Sequence, residues 1–428
     1  MKKYITVLAV VSYSIASAQF SVNLNVNSDY PAKEAILYTL DGSKDIISSK
    51  ENRKGNSFVF QVAKAYSGMM KIYFPETNAS FNLISENKEV KVDVVGNGKK
   101  IVDINYLDEA NRFMTDVQDY QKKREAIFPA LLQIKEYYKP SSDFAKALEK
   151  EISQLEQPLK LDATAHPFVY FYNTNYNKFL VEQATSPKPT AQEIIHFVAN
   201  SNQMLESSSL LRPVLVAYLN QGGNANIEKS VRDMLTAVNV ETPRGQTVLS
   251  EFIDIFDAYG MTDYKTKFLT EATNLKCTIN DRLAKTIKVN KDTEMGAKFP
   301  NYTFQTVKGT TAKSLYDIKA DKKIIVFWSS TCSHCEKEVP QFIEKYATLK
   351  QKNIEVIGFS LDTEKSNYDS KVSAFPWINT TELRGWNSTF AEMYNIHATP
   401  TYFILDSNNV IINKPDHIQD VFNFFNLK

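Results

Sequence analysis

At 428 residues, with 43% hydrophobic and 23% charged side chains, the chain is long enough for two or three domains and too apolar to be largely disordered. Its 50 basic and 49 acidic residues nearly cancel, so charge gives no case for nucleic acid or an anionic membrane surface as a partner. Three cysteines in so long a chain leave the fold to apolar cores rather than to structural disulfides.

The chain opens with the pattern of an export signal. Met1-Lys2-Lys3 is a positive start, Tyr4 to Ala16 a short apolar run, and Ala16-Ser17-Ala18 a small-residue cleavage site. The run is interrupted by Ser12 and Ser14 and falls short of the roughly 20 apolar residues that span a bilayer. Cleavage after Ala18 removes Lys2 and Lys3 and turns the formal net charge from +1 to about −1. The expectation is a soluble extracytoplasmic or periplasmic protein with no transmembrane segment after cleavage.

From Phe20 to about Ile104 the apolar residues alternate with polar ones. Phe20, Val22, Leu24 and Val26 show it, as do Phe58, Phe60 and Val62, Phe81 and Leu83, and Val90, Val92 and Val94. Turn signals such as Asp41-Gly42 and Gly96-Asn97-Gly98 separate them, which predicts an antiparallel β-sandwich-like domain. It serves either as a binding module or as a cap or spacer. Near Asn105 the period lengthens, and Leu107, Phe113, Val117 and Tyr120 begin helical spacing that runs, with breaks, to about Lys288. Ser141 or Ser142 is an expected N-cap, and Thr190 with Glu193 an expected capping box. Cys277 falls in this region, as a buried inert thiol or a reactive one. No two of the five histidines sit at ligand spacing, so no metal is expected.

The last region alternates strand and helix. Strands are expected at Tyr302–Val307, Ile324–Trp328, Ile354–Ser360, Thr401–Leu405 and Val410–Ile412. Helices are expected at Cys332–Gln351, Glu364–Ala374, Thr389–Asn395 and Asp416–Phe425. Continuous apolar strands belong to a sheet covered on both faces. The chain thus divides into a signal peptide at 1–18, a β-rich domain at 19–104, an all-α domain at 105–290 and an α/β domain at 291–428.

Chemistry concentrates at Cys332-Ser333-His334-Cys335, a dithiol where the apolar strand Ile324–Phe327 gives way to a helix. Disulfide exchange needs a thiolate, and the start of a helix favours one at Cys332. His334 adds positive charge or a hydrogen bond there. Val339, Phe342, Ile343, Tyr346 and Leu349 lie at core spacing, so Cys332 is expected to be the exposed attacking thiol and Cys335 the shielded resolving one. Pro340 should kink this helix. A zinc half-site lacks a second soft pair, and a structural disulfide over two residues would constrain little chain entropy.

The run Phe327–Pro340 resembles the active-site signature of the thioredoxin superfamily, and its spacing to Glu338 and Pro340 is similar to the TlpA/ResA-like branch of extracytoplasmic thiol–disulfide oxidoreductases. Ala398-Thr399-Pro400-Thr401 resembles that family's cis-proline segment, and Trp377-Ile378-Asn379 and Gly385-Trp386-Asn387 also look like this branch. The resemblance covers about 295–428. It implies a thioredoxin-like α/β fold, a cis Thr399–Pro400 bond facing the dithiol, and no cofactor. It implies substrate contacts at Trp328, Ser333, His334, Thr399 and Pro400, and a proton acceptor for Cys335 at Glu338, which otherwise reads as a solvated helix carboxylate. Protein or peptide disulfides are the implied substrates, with an unidentified extracytoplasmic electron donor. The chain departs from thioredoxin in having Val326 where a buried Asp is common, and Ser333-His334 for Gly-Pro. Three readings follow: a reductase, an oxidase or isomerase, or a partner-binding scaffold with a secondary thioredoxin-like domain.

Overall fold

The computed structural model describes residues 19–157, 159, 161–181, 188–222 and 226–427, and the leader at 1–18 lies outside them. The chain divides into two compact units. The first runs to Pro189 and takes in Ser201–Leu210; the second takes Thr190–Asn200 and continues from Leu211. The helical middle of the chain is thereby shared between them.

The first unit begins with eight strands: β1 (Phe20–Val26), β2 (Glu34–Asp41), β3 (Lys44–Asn52), β4 (Ser57–Val62), β5 (Ser67–Phe74), β6 (Ala79–Glu86), β7 (Val90–Asn97) and β8 (Lys100–Tyr106). They form two four-stranded sheets, ordered β4-β1-β7-β8 and β3-β2-β5-β6. The alternation seen in the sequence fills one apolar core, to which Val22, Leu24, Phe58, Phe60 and Val92 come from one sheet and Leu37, Ile72, Phe74 and Leu83 from the other. The pairing is not antiparallel throughout, because β1 runs parallel to β7 with Leu24 opposite Val92. Three helices follow: α1 (Glu109–Lys135), α2 (Asp143–Glu156) and α3 (Pro167–Phe179). Asn111 fastens α1 to β6, accepting from Ile84 N at 2.7 Å and donating to Ile84 O at 2.9 Å. Ser142 caps α2, its Oγ accepting from Ala145 N.

The second unit opens with α4 (Ala191–Asn200), α5 (Leu211–Gly222), α6 (Ile227–Val238), α7 (Pro243–Ala258), α8 (Thr262–Thr273) and α9 (Asp281–Asp292). Thr190 and Glu193 form the reciprocal box that starts α4. Helix α7 is buried from Gly245 to Phe256, and this includes Glu251 and Asp254. Those carboxylates are matched by Arg282, at 3.0 and 2.7 Å, and by Arg212, at 2.8 Å from Glu251. Cys277 is half-buried in the bend between α8 and α9 rather than inside a helix, and Gln246 Nε2 approaches its sulfur at 3.5 Å.

The C-terminal part is a six-stranded sheet of β9 (Val307–Lys308), β10 (Lys322–Trp328), β11 (Ile354–Ser360), β12 (Ile378–Thr381), β13 (Thr401–Asp406) and β14 (Ile411–Asn413). The order is β14-β13-β10-β11-β12-β9, with β10, β11 and β12 parallel. The helices are α10 (Ser333–Glu338), α11 (Gln341–Gln351), α12 (Lys365–Val372), α13 (Thr389–Met393) and α14 (Ile418–Phe424). Alternate residues of β10 enter opposite cores, Ile324, Val326 and Trp328 on one side and Ile325 and Phe327 on the other. That is the two-sided burial expected of an apolar parallel strand. Three local expectations are corrected. The strand at Tyr302–Val307 shrinks to Val307–Lys308, because Tyr302 turns into an aromatic cluster with Phe359 and Phe390. The long helix splits at Pro340, which has no N–H for the ladder. Ile343 is exposed rather than core.

Among the described residues no helix is long and apolar enough to cross a membrane. Arg282→Ala leaves Glu251 and Asp254 short of a buried partner and is expected to cost about 3 kcal/mol or more of unfolding free energy, read from the midpoint of a denaturant titration.

Candidate active site

Strand β10 ends at Trp328, and a tight turn hands the chain to α10. Cys332 is the N-cap of that helix, with extended backbone at φ −87° and ψ 116°. Its sulfur accepts a hydrogen bond from Cys335 N at 3.2 Å, and its thiol donates to Thr399 O at 3.3 Å. Both cysteines are free thiols. Cys335 is 2% exposed and packs in the core with Val339 and Phe342.

This geometry treats the two sulfurs unequally. Partial burial works against ionisation of Cys332, but contacts from the Cys335 and Thr399 side chains and from the backbone of Cys335 and His334 outweigh it and hold its pKa below the ordinary thiol value. Burial, aided by the hydrogen bond with Cys332, pushes Cys335 up to about 12. An accessible thiol that ionises more readily, beside a shielded one, is the arrangement that stepwise disulfide exchange requires.

The opposite wall comes from β13. Its antiparallel register with β10 sets Thr401 against Phe327, which carries the preceding residues over to the dithiol. The Thr399–Pro400 bond is cis. Ser333 and His334 are exposed on the first turn of α10. Trp328 is elsewhere: at 2% exposure it is buried, and its ring packs near Tyr368 and Phe375 at 6.4 and 5.3 Å between centroids. It forms the floor of an apolar cleft of about 180 Å³ that Cys335, Pro340, Ile343 and Phe375 also line. Gly358 lies beneath Trp328, where a Cβ would come within 2.9 Å of the indole nitrogen and 2.5 Å of Asn379 Oδ1.

Glu338 is not a solvated helix carboxylate, since its side chain is 16% exposed. Its Oε2 accepts from Tyr402 Oη at 3.0 Å and from Ile418 N at 2.9 Å, and His417 Nδ1 lies 3.5 Å from Oε1. Burial first, then the charge of Glu338 and of both cysteines, raises the Tyr402 pKa. The phenol thus feels the charge of both the carboxylate and the dithiol.

Sequence reasoning did not single out Asp362. It is 3% exposed, and its Oδ1 accepts from Ser330 Oγ at 2.6 Å, Ser330 N at 2.9 Å and Ser329 Oγ at 3.1 Å, while Oδ2 accepts from Ser360 Oγ at 2.7 Å. These bonds fix the turn whose Ser329 backbone contacts the Cys335 sulfur. The available signal was its place just past the C-terminal end of parallel strand β11, where α/β sheets build their sites. Tyr402 and His417 gave no signal of their own, because each meets Glu338 across a large sequence separation.

Residues 295–414 match the model of the AhpC/TSA family. The C-terminal region is an AhpC/TSA thioredoxin-like domain. A curated relative of this domain, the thiol-disulfide oxidoreductase ResA of Bacillus cereus, is 23% identical over 126 residues, 28% of this chain and 69% of that protein. Among solved structures, a domain of a possible thiol-disulfide isomerase from Cytophaga hutchinsonii is 28% identical, covers 31% of this chain and 90% of its own, and has a TM-score of 0.28. A thioredoxin-like protein from Bacteroides caccae is 15% identical, covers 58% of this chain and 96% of its own, and has a TM-score of 0.34.

The thioredoxin-like domain should show two thiols titrating far apart. Because ionisation follows a rise of pH through the pKa, Cys332 is expected to alkylate with an inflection below the usual value for thiols, about 8.5, and Cys335 only near the top of the accessible range. Iodoacetamide labelling against pH, read by mass spectrometry, checks this.

Proposed function

We propose that the chain is an extracytoplasmic thiol–disulfide oxidoreductase that reduces protein or peptide disulfides through Cys332 and Cys335. The observation that carries this reading is the pairing of a half-exposed, easily ionised Cys332 with a buried Cys335 whose N–H already contacts the attacking sulfur. The relation of the domain to ResA-type enzymes supports it.

In the forward step the Cys332 thiolate attacks one sulfur of the client disulfide. A new S–S bond joins Cys332 to the client, and the other client sulfur leaves as a thiolate that takes a proton from solvent. Cys335 then gives up its proton and attacks Cys332 Sγ. The intramolecular disulfide forms, the second client thiol leaves, and two electrons have passed to the client. Glu338 accepts the Cys335 proton, with Tyr402 holding the carboxylate in place. Ser333, His334, Thr399 and Pro400 present the surface that receives the client, and Trp328 acts from below as the floor of the apolar cleft. An extracytoplasmic electron donor returns the disulfide to the dithiol. The location rests on the leader at 1–18, and the β-rich region, read as a β-sandwich-like module, serves in addressing or spacing.

Cys335→Ser leaves the attacking thiol and removes the resolving one, so it is expected to accumulate mixed disulfides with clients that dithiothreitol releases. Cys332→Ser should accumulate none and lose turnover. Turnover that survives Cys332→Ser would sink the reading. Glu338→Gln is expected to slow turnover by about 10²-fold, at the lower end for general acid–base catalysis, while single-turnover attack by Cys332 stays near wild type.

A further inference from the structure

The second unit contains a contact that the exchange mechanism does not use. Asp257, the penultimate residue of α7, lies against the chain that leads into the cis-proline. Its Oδ2 accepts a hydrogen bond from Asn395 Nδ2 and lies 3.4 Å from His397 Nε2. Its Oδ1 accepts from Lys265 Nζ, on α8, at 2.5 Å. His397 is itself tied to Asn395, Nε2 to Oδ1 at 3.1 Å. Burial disfavours the Asp257 charge, but the hydrogen bond from His397 and the charge of Lys265 prevail and hold its carboxyl at about 2. Lys414, on the surface, is a further positive neighbour of the same group.

The gripped segment is short, and backbone hydrogen bonds to α13 hold its start. Asn395 turns the chain in the left-handed region at φ 53°, a conformation that asparagine tolerates better than most residues. Ile396 is buried and bonded back to Ala391 O at 2.8 Å. His397 is two residues before Thr399, whose carbonyl accepts the hydrogen bond from the Cys332 thiol. A fixed carboxylate on a buried helix therefore stands at one end of this path and the attacking sulfur at the other.

We propose that Asp257 is a positioning residue for disulfide exchange: by holding Asn395 and His397 it sets the cis-proline approach and the place of the Thr399 carbonyl against Cys332. The proposal rests on the oxidoreductase reading and gives the helical segment of the second unit a part in the reaction. A second tie between that segment and the C-terminal domain makes a useful control. Lys285 pairs with the Glu392 side chain at the surface, and Glu392 meets Asn395 through its backbone carbonyl, which Lys285→Ala leaves in place.

The test compares full-length Asp257→Ala, Asp257→Asn, His397→Ala and Lys285→Ala with wild type. Kinetics with a model peptide disulfide are measured beside the pH profile of Cys332 alkylation and the melting temperature. For Asp257→Ala, kcat/KM is expected to fall about tenfold, mainly through KM, as for a misplaced binding wall. Its Cys332 inflection should move away from the wild-type value, because Thr399 meets that thiol both through its carbonyl and through the side chain that helps to lower the pKa. Asp257→Asn keeps an acceptor for Asn395 and should lie between the two. His397→Ala should add little to Asp257→Ala, since both break one path. Lys285→Ala should match wild type.

Wild-type KM and alkylation profile in folded Asp257→Ala would overturn the proposal, as would an activity loss that merely follows the unfolded fraction. If Asp257→Ala does not fold, His397→Ala decides alone, with a smaller shift in the same direction expected and wild-type values contradicting it. The alkylation profile needs no turnover, so it judges Asp257 separately from the enzyme reading, which falls instead if turnover survives Cys332→Ser.

Discussion

The site depends on one hydrogen bond, from Cys335 N to Cys332 Sγ across the first turn of α10. It places the two sulfurs within reach of each other while giving them opposite surroundings, one at the end of backbone donors and the other inside a core. Everything nearby keeps that turn where it is. Asp362 holds Ser329 and Ser330, β10 holds Trp328 against Ser360 of β11, and the break at Pro340 lets α11 bury Phe342 and Leu349 without carrying α10 out of line. Without such restraint a capping sulfur would have many rotamers, and the difference between attacking and resolving thiols would fade.

Reading from the sequence worked where a residue's role is set by its close neighbours. The alternation of Phe20 to Val26, the cap at Ser142, the box of Thr190 with Glu193 and the strand Ile354–Ser360 are all local patterns, and all are found. The dithiol belongs to the same class, since strand, turn and helix lie within a dozen residues. What escaped depends on pairing between distant segments. Strand β12, Ile378–Thr381, is mostly polar yet fully buried, because it lies between β11 and β9. The parallel pairing of β1 with β7 is likewise invisible in either strand alone. The resemblance implied a substrate contact at Trp328, but the strand period turns its ring into the core.

The same distinction separates the residues of the site. Cys332 and Cys335 announce themselves by type and spacing, and Pro400 through the family resemblance of its segment. Glu338 does so only in part, because what removes it from solvent is Tyr402 and the start of α14. Asp362 and Asp257 are ordinary acidic residues in the sequence. Their meaning comes from carboxylates held in poorly solvated places, where an unmatched charge would be costly and each hydrogen bond fixes a loop. Helix α7 is the extreme case, with its charges matched by arginines inside the unit and its last turn facing the approach to the cis-proline.

The direction of electron flow follows from how much better the buried and exposed thiols are accommodated than the disulfide, and the reduction potential of the Cys332–Cys335 couple measures that most directly. Equilibration of the full-length protein with glutathione redox buffers, read by alkylation and mass, gives the value. The account predicts a potential near that of thioredoxin, about −270 mV, and a potential near the strong oxidants, about −120 mV, would contradict it.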